Sequence, residues 1–131
     1  MIDENDIAQA LGQRLQTLAD VPYIVWGNKD APEGLARPYL RFQLVPVGSG
    51  GKISGGKVQT GFAQVLVVAD LDEFETPANT LAENIAALFP YEQTLTCGDG
   101  VLTVTTHTIP KGGFRDGSDW LKPVQIDWIA V

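Results

Sequence analysis

The sequence predicts an α+β fold, with two helices packed on a mixed, mainly antiparallel β-sheet that carries a long glycine-rich β-hairpin arm. Three observations predict it. Residues 3–18 and 77–89 repeat apolar side chains at the helical period. Residues 38–45 and 62–69 read as two long strands flanking a glycine-rich stretch, and the C-terminal third is all strand and turn. Two helices with one apolar face each need a sheet to lie on. At 131 residues the chain has the size of one ordinary domain, taken as 1–131.

In the first helix Ile7, Leu11, Leu15 and Leu18 form the buried stripe, with Ala8 and Ala19 beside them. Asp3 or Asn5 caps it, and the early acids suit the positive end of the helix dipole. The run Asp20-Val21-Pro22 stops it, because proline disfavours helix in the preceding residue. Residues 23–26 form a short β-rich run, followed by a polar connection over 27–37 with Pro32 and Gly34.

Residues 38–45 alternate large apolar with polar side chains, as a half-buried strand does, whereas 62–69 are nearly continuously apolar, as in a central strand. Between them Gly48, Gly50, Gly51, Gly55 and Gly56 interleave with Ser49, Lys52, Ile53, Ser54 and Lys57. Such a stretch buries too little surface to order itself, but it can dock on a partner. An acidic loop over 70–75 leads into the second helix. Thr76 is its N-cap and Pro77 its first residue; Leu81, Ile85, Leu88 and Phe89 are buried, and Ala78, Ala82 and Ala86 permit close packing. Pro90 ends it. Residues 95–97 and 101–105 flank Gly98-Asp99-Gly100 as a hairpin, and 111–119 form a second glycine-bearing loop. The last strand, 120–131, places Val124, Ile126 and Trp128 on one face and Gln125, Asp127 and Ile129 on the other.

Composition excludes several classes of function. Sixteen acidic against nine basic residues give a net charge of −7, and the bases are scattered, so specific nucleic-acid binding is disfavoured. An acidic surface can still line a passage through which DNA slides without adhering. No apolar run has the length of a membrane span, and the acidic, polar N-terminus is the opposite of a signal peptide's basic start, which predicts a protein made in the cytoplasm. The lone Cys97 admits neither an internal disulfide nor a cysteine metal cluster, and reads as a buried, inert thiol.

The candidates for chemistry are weak beside their structural readings, and no cofactor is expected. Gly51-Lys52-Ile53-Ser54-Gly55-Gly56-Lys57 has the first seven positions of a phosphate-binding P-loop. Val58 follows where Ser or Thr is needed, and the downstream segment is β-patterned; a flexible hairpin tip is the better account, with a nucleotide-binding enzyme as the minor alternative. Asp70, Asp72, Glu73 and Glu75 lack the glycine and distal glutamate of a calcium loop. His107, the single histidine, lies among threonines on an expected strand with no second ligand nearby, and reads as a surface or edge-strand residue. No serine sits in a nucleophile elbow. Trp26, which opens a polar loop, and Trp120, which closes one, are either core or anchors of a subunit interface. A rigid hairpin carrying a mobile arm, without a catalytic set, suggests an assembly component.

The order of elements resembles the phage tail-terminator family, which includes the minor tail protein U type. The resemblance rests on Arg-Pro-Tyr-Leu-Arg-Phe-Gln-Leu at 37–44, the glycine-rich arm, Gly-Phe-Ala-Gln-Val-Leu-Val at 61–67, the helix ending in Ala-Ala-Leu-Phe-Pro at 86–90, the Thr-Val-Thr strand and the closing strand. It implies a non-enzymatic virion tail component, assembled in the bacterial host cytoplasm. Such a component caps the tail tube as a ring, usually of six subunits, ends tail polymerisation and presents the surface to which the head attaches. It further implies as partners copies of the chain itself, the major tail tube protein and a head completion or connector protein, with DNA passing through the ring. A different head–tail connector or tail completion protein is the close rival. By position the arm, with Lys52, Ile53 and Lys57, is the expected interface with neighbouring subunits or the tube. Phe114 and Arg115 in the second glycine-bearing loop are further candidates.

Overall fold

The computed structural model describes residues 2–27, 29–53, 56–71 and 76–131, and for 49–53 and 56–57 the backbone alone. Its elements in chain order are α1 (Glu4–Leu15), β1 (Ile24–Trp26), β2 (Tyr39–Ile53), β3 (Gly56–Asp70), α2 (Thr76–Ala87), β4 (Thr94–Cys97), β5 (Gly100–Val104), β6 (Phe114–Asp116) and β7 (Asp119–Ala130). The seven strands form one mixed sheet in the order β1-β2-β3-β7-β5-β4, with β6 also on β7. Only the β1–β2 pair is parallel among the described strands. The fold is therefore the α+β arrangement expected, two helices on a mainly antiparallel sheet.

The sheet is centred on β3 and β7, which pair continuously from Gln59↔Ala130 to Asp70↔Asp119. Because side chains alternate across a strand, that register gathers Ala63, Val65 and Val67 with Val124, Ile126, Trp128 and Ala130 on one face. Both helices cover this face. Ile7, Leu11 and Leu15 of α1 are completely buried, and α1 touches β2 near one edge of the sheet and β4 at the other, so the sheet curls around it. From α2 the buried residues are Ala78, Ala82, Ile85 and Ala86, while Leu81 and Leu88 are only half-buried. The alanines bring this helix close to the strands, and the leucines flank the contact.

Both helices stop by local means. Asp3 caps α1, its carboxylate accepting from the Asn5 N–H at 2.7 Å. The helix ends at Leu15 rather than Leu18: the carbonyl of Arg14 accepts from both the N–H and the hydroxyl of Thr17, and Leu18 bonds back to Leu15, so the chain tightens into a turn. Leu18 still reaches the core. Past the end of α2, the carbonyls of Leu88 and Phe89 accept from Arg14 Nε at 2.9 Å and Thr108 Oγ1 at 2.7 Å. Carbonyls at a helix C-terminus have no partner within the helix, and these two side chains supply one.

Gly61 faces Trp128 across the central ladder. A Cβ at Gly61 would stand 2.5 Å from the Val45 carbonyl oxygen and 2.8 Å from the Trp128 ring, so the indole lies where a side chain would otherwise be. The opposite face of the sheet is only partly covered. Val25, Tyr39, Val68 and Leu121 form a small second cluster under Ala31 and Leu35, and Arg37 ties that connection to the sheet through Asp119 at 2.6 Å. Next to it Gln43, Gln64 and Gln125 fall in one cross-strand row, a composition that tolerates water.

Three local expectations change. Residues 114–116 are not loop: they pair with 119–121 around Gly117-Ser118, a two-residue turn whose first position, Gly117, has a φ of +61° that suits glycine. His107 lies beyond the end of β5, exposed, its ring 5.0 Å from that of Tyr91. The hairpin ladder continues through the glycine-rich stretch, with irregularities between Pro46 and Gly48 and between Ser49 and Lys52, to Ile53↔Gly56. Backbone hydrogen bonds do not require side chains, and sequence patterning cannot register them. The tip at 54–55 and the acids at 72–75 lie outside the described residues.

Replacing Gly61 by alanine is expected to lower unfolding free energy by about 3 kcal/mol, as for an overpacked core site, in urea denaturation. Gly112→Ala, where a Cβ meets nothing within 4 Å, should stay within about 0.5 kcal/mol of the parent.

Candidate assembly interface

The hairpin arm begins where the rest of the sheet ends. The β7 partner strand stops at Ala130, opposite Gln59, and beyond that point β2 and β3 pair only with each other. Within the arm Lys52 and Lys57 are direct register partners, and Ile53 pairs with Gly56. The side chains of Lys52, Ile53 and Lys57 lie outside the described residues. Two like charges opposite each other on a hairpin are unfavourable in isolation. The P-loop-like spacing does not lead into a helix: Gly56–Asp70 is a strand, so no helix N-terminus stands over the place a phosphate would occupy.

Phe114 and Arg115 sit on β6 at the other end of β7. Phe114 is 47% exposed, and Arg115 donates through Nε to the Gly117 carbonyl at 3.3 Å. The twelve residues of β7 separate this hairpin from the arm, about 36 Å at the ordinary rise of an extended chain. The structure thus does not bring the two sets of candidates together.

The tryptophans divide by role. Trp128 is core, 2% exposed. Trp120 is half-buried and lies against Gly113, whose Cβ would fall 2.6 Å from the indole. Trp26, at the end of the edge strand β1, is half-buried as well; it packs edge-to-face on Phe42 with ring centroids 5.5 Å apart and lies over Gly12 of α1. Among the described residues, three open grooves meet at its ring. One, of about 620 Å³, runs between Glu4, Asn5 and Ala8 on α1 and Gly27, Phe42, Gln43 and Leu44. A second, of about 370 Å³, follows α1 along Gln9, Gln13 and Gln16, and a third, of about 460 Å³, continues past Val21 and Tyr23.

Sequence reading singles out Trp26 but not this trough. The available signal is the uncharged spacing Gln9, Gln13, Gln16 on the solvent side of an otherwise acidic helix start; the contact of Gly12 with an indole fourteen positions later is tertiary. Along the trough's edge, Leu40 and Phe42 direct backbone groups toward the β1 side, as their bonds to Tyr23 and Gly27 show. By alternation Leu44 and Pro46 face the same side beyond the end of β1, and Pro46 has no N–H to offer. That edge admits very little further strand pairing, and the trough beside it is a surface for side chains.

Among the described residues, no group of three or more His, Cys, Asp or Glu is placed to hold a metal ion, and no helix is long and apolar enough to cross a membrane. The geometry is that of a molecule with a projecting arm, an open trough and two exposed ends of a sheet. Comparison with family models decides the family: the model described as phage tail terminator protein matches residues 6–128. This chain belongs to the phage tail terminator family. Membership gives it a structural role in a phage tail, in contact with other tail or head proteins. A solved structure 20% identical in sequence, aligned over 100% of this chain and 97% of its own, superimposes with a TM-score of 0.80 and shares the fold. No curated protein matches.

Cys97 is 1% exposed, and burial, with a smaller contribution from Asp6, holds its thiol pKa above the ordinary value. Little thiolate is therefore present near neutral pH. Iodoacetamide should modify Cys97 far more slowly in the native terminator-family chain than after unfolding in urea, as read by mass spectrometry. Equal rates would show that the site opens freely.

Proposed function

We propose that this chain caps the tail tube as a homo-hexameric ring, ends tail polymerisation and presents the surface to which the head attaches. It acts as one domain over 1–131, without catalytic chemistry or cofactor, within the virion tail and after assembly in the host cytoplasm. The observation that carries the reading is the family match across nearly the whole chain. The two separated candidate patches support it. A cap must contact tube on one side and head on the other, and Phe114 and Arg115 lie at the opposite end of β7 from the arm with Lys52, Ile53 and Lys57.

In this scheme the arm joins neighbouring subunits of the ring at the end that meets the major tail tube protein, and the sheet-end hairpin lies at the opposite end, where a head completion or connector protein binds. Identical contacts repeated around a ring act together, so weak individual contacts suffice to make assembly conditional on encounter with the tube. If the ring encloses the path of the genome, the net charge of −7 opposes adhesion of the duplex to its wall.

Solution mass by light scattering, measured on the intact chain and on one whose residues 49–56 are removed, tests the ring. The intact chain is expected to form a discrete oligomer as concentration rises, and the shortened chain to remain monomeric with an unchanged melting temperature. Association unaffected by the deletion would remove the arm from the interface. A millimolar titration with ATP or GTP and magnesium should leave the melting temperature unchanged, whereas a clear rise would favour the nucleotide-binding alternative.

A further inference from the structure

We propose that the trough around Trp26 is the receptor for the hairpin arm of a second copy of this chain. The inference rests on the ring reading above and adds the surface that the arm meets.

Charge favours this pairing. No lysine or arginine lines any of the three grooves, and their one charged residue is Glu4, next to the capping Asp3; Asp6 faces away, toward Gly98. The arm is the opposite. From Gly48 to Ala69 the sequence holds Lys52 and Lys57 and no acid, in a chain whose net charge is −7. A second copy therefore carries the one kind of projecting segment whose charge fits this trough.

The arm itself favours docking. Lys52 and Lys57 are register partners, an arrangement that carries a repulsive cost in a free hairpin. A neighbour's trough that carries the Glu4 carboxylate and no basic residue relieves part of that cost on docking, so the arm gains more from binding than an uncharged hairpin would. The shape of the trough favours it as well. Trp26 forms the shared wall of the grooves, half-exposed and rigidly backed by Gly12 and Phe42, which is the character of an interface anchor. Pro46 limits strand pairing at the adjacent edge, which leaves the trough to side-chain contacts. Arm and trough are different surfaces of the same chain, so the contact is heterologous and repeats head-to-tail, as a ring requires.

The test uses full-length chains and reads self-association by sedimentation velocity across concentration, with thermal melts as the folding control. Gln9 and Gln13 are exposed on α1, and either lysine or glutamate is compatible with a helix there. Gln9→Lys with Gln13→Lys is expected to weaken association about tenfold or more, and Gln9→Glu with Gln13→Glu to strengthen it. Lys52→Glu with Lys57→Glu should weaken association with wild-type troughs and recover most of the loss when combined with Gln9→Lys and Gln13→Lys. A merely structural role for the glutamines would not reverse sign in this way. If the arm variants abolish association while both trough variants leave it unchanged, the ring reading stands and the trough is not the receptor. If the wild-type chain stays monomeric at every concentration, both the autonomous ring and this contact are overturned.

Discussion

The β3–β7 ladder is the constraint on which the rest of the structure depends. It runs without interruption for twelve residues of each strand, and its alternation decides which side chains the helices must cover. A slip of one position would turn Val124, Ile126 and Trp128 to the solvent side and leave α1 and α2 without a floor. Gly61 adds a second lock. Only a residue without a side chain leaves room for the Trp128 indole across the ladder, so the strongest aromatic in the core identifies its own register. Pro123 is tolerated in this central strand because its nitrogen, like its carbonyl that accepts from the Lys111 N–H, faces away from β3, between the part of β7 paired with β6 and the part paired with β5; on that edge the described residues offer an isolated bridge from Pro110 to Val124.

Much of this architecture was legible in the sequence, for reasons that particular residues make clear. Ile7, Leu11 and Leu15 keep the helical period, and Val124, Ile126 and Trp128 keep the strand period, so element type and buried face followed from spacing. Boundaries followed less well. Thr17 ends α1 by a local bond that competes with the helix, and the alanine face of α2 outweighs its leucines because proximity to the sheet decides burial, not side-chain size. The 114–116 strand was missed because Lys111, Gly112, Gly113 and Arg115 look like loop, while its pairing is supplied by β7.

The candidate interface was legible only in part. Lys52, Ile53 and Lys57 are marked by composition, as two charges and one apolar residue in a glycine-rich segment, and their backbone continues the central hairpin. Phe114 and Arg115 belong to a different end of the molecule. The trough around Trp26 is assembled from residues 4–16, 21–27 and 42–44, and no local pattern announces such a convergence. An extended sheet thus does two things at once in this chain of the tail terminator family. It fixes a core on one face, and its length holds the arm and the 114–121 hairpin apart.

The central claim is that the chain stops a growing tube. The most direct measurement is the length distribution, by electron microscopy, of tubes assembled from purified tail tube protein with increasing amounts of this chain added during growth. Shorter tubes are predicted, with one end bearing added ring density and no further elongation when fresh tube subunits are supplied. Tubes that continue to elongate from both ends at saturating amounts of the chain would contradict it.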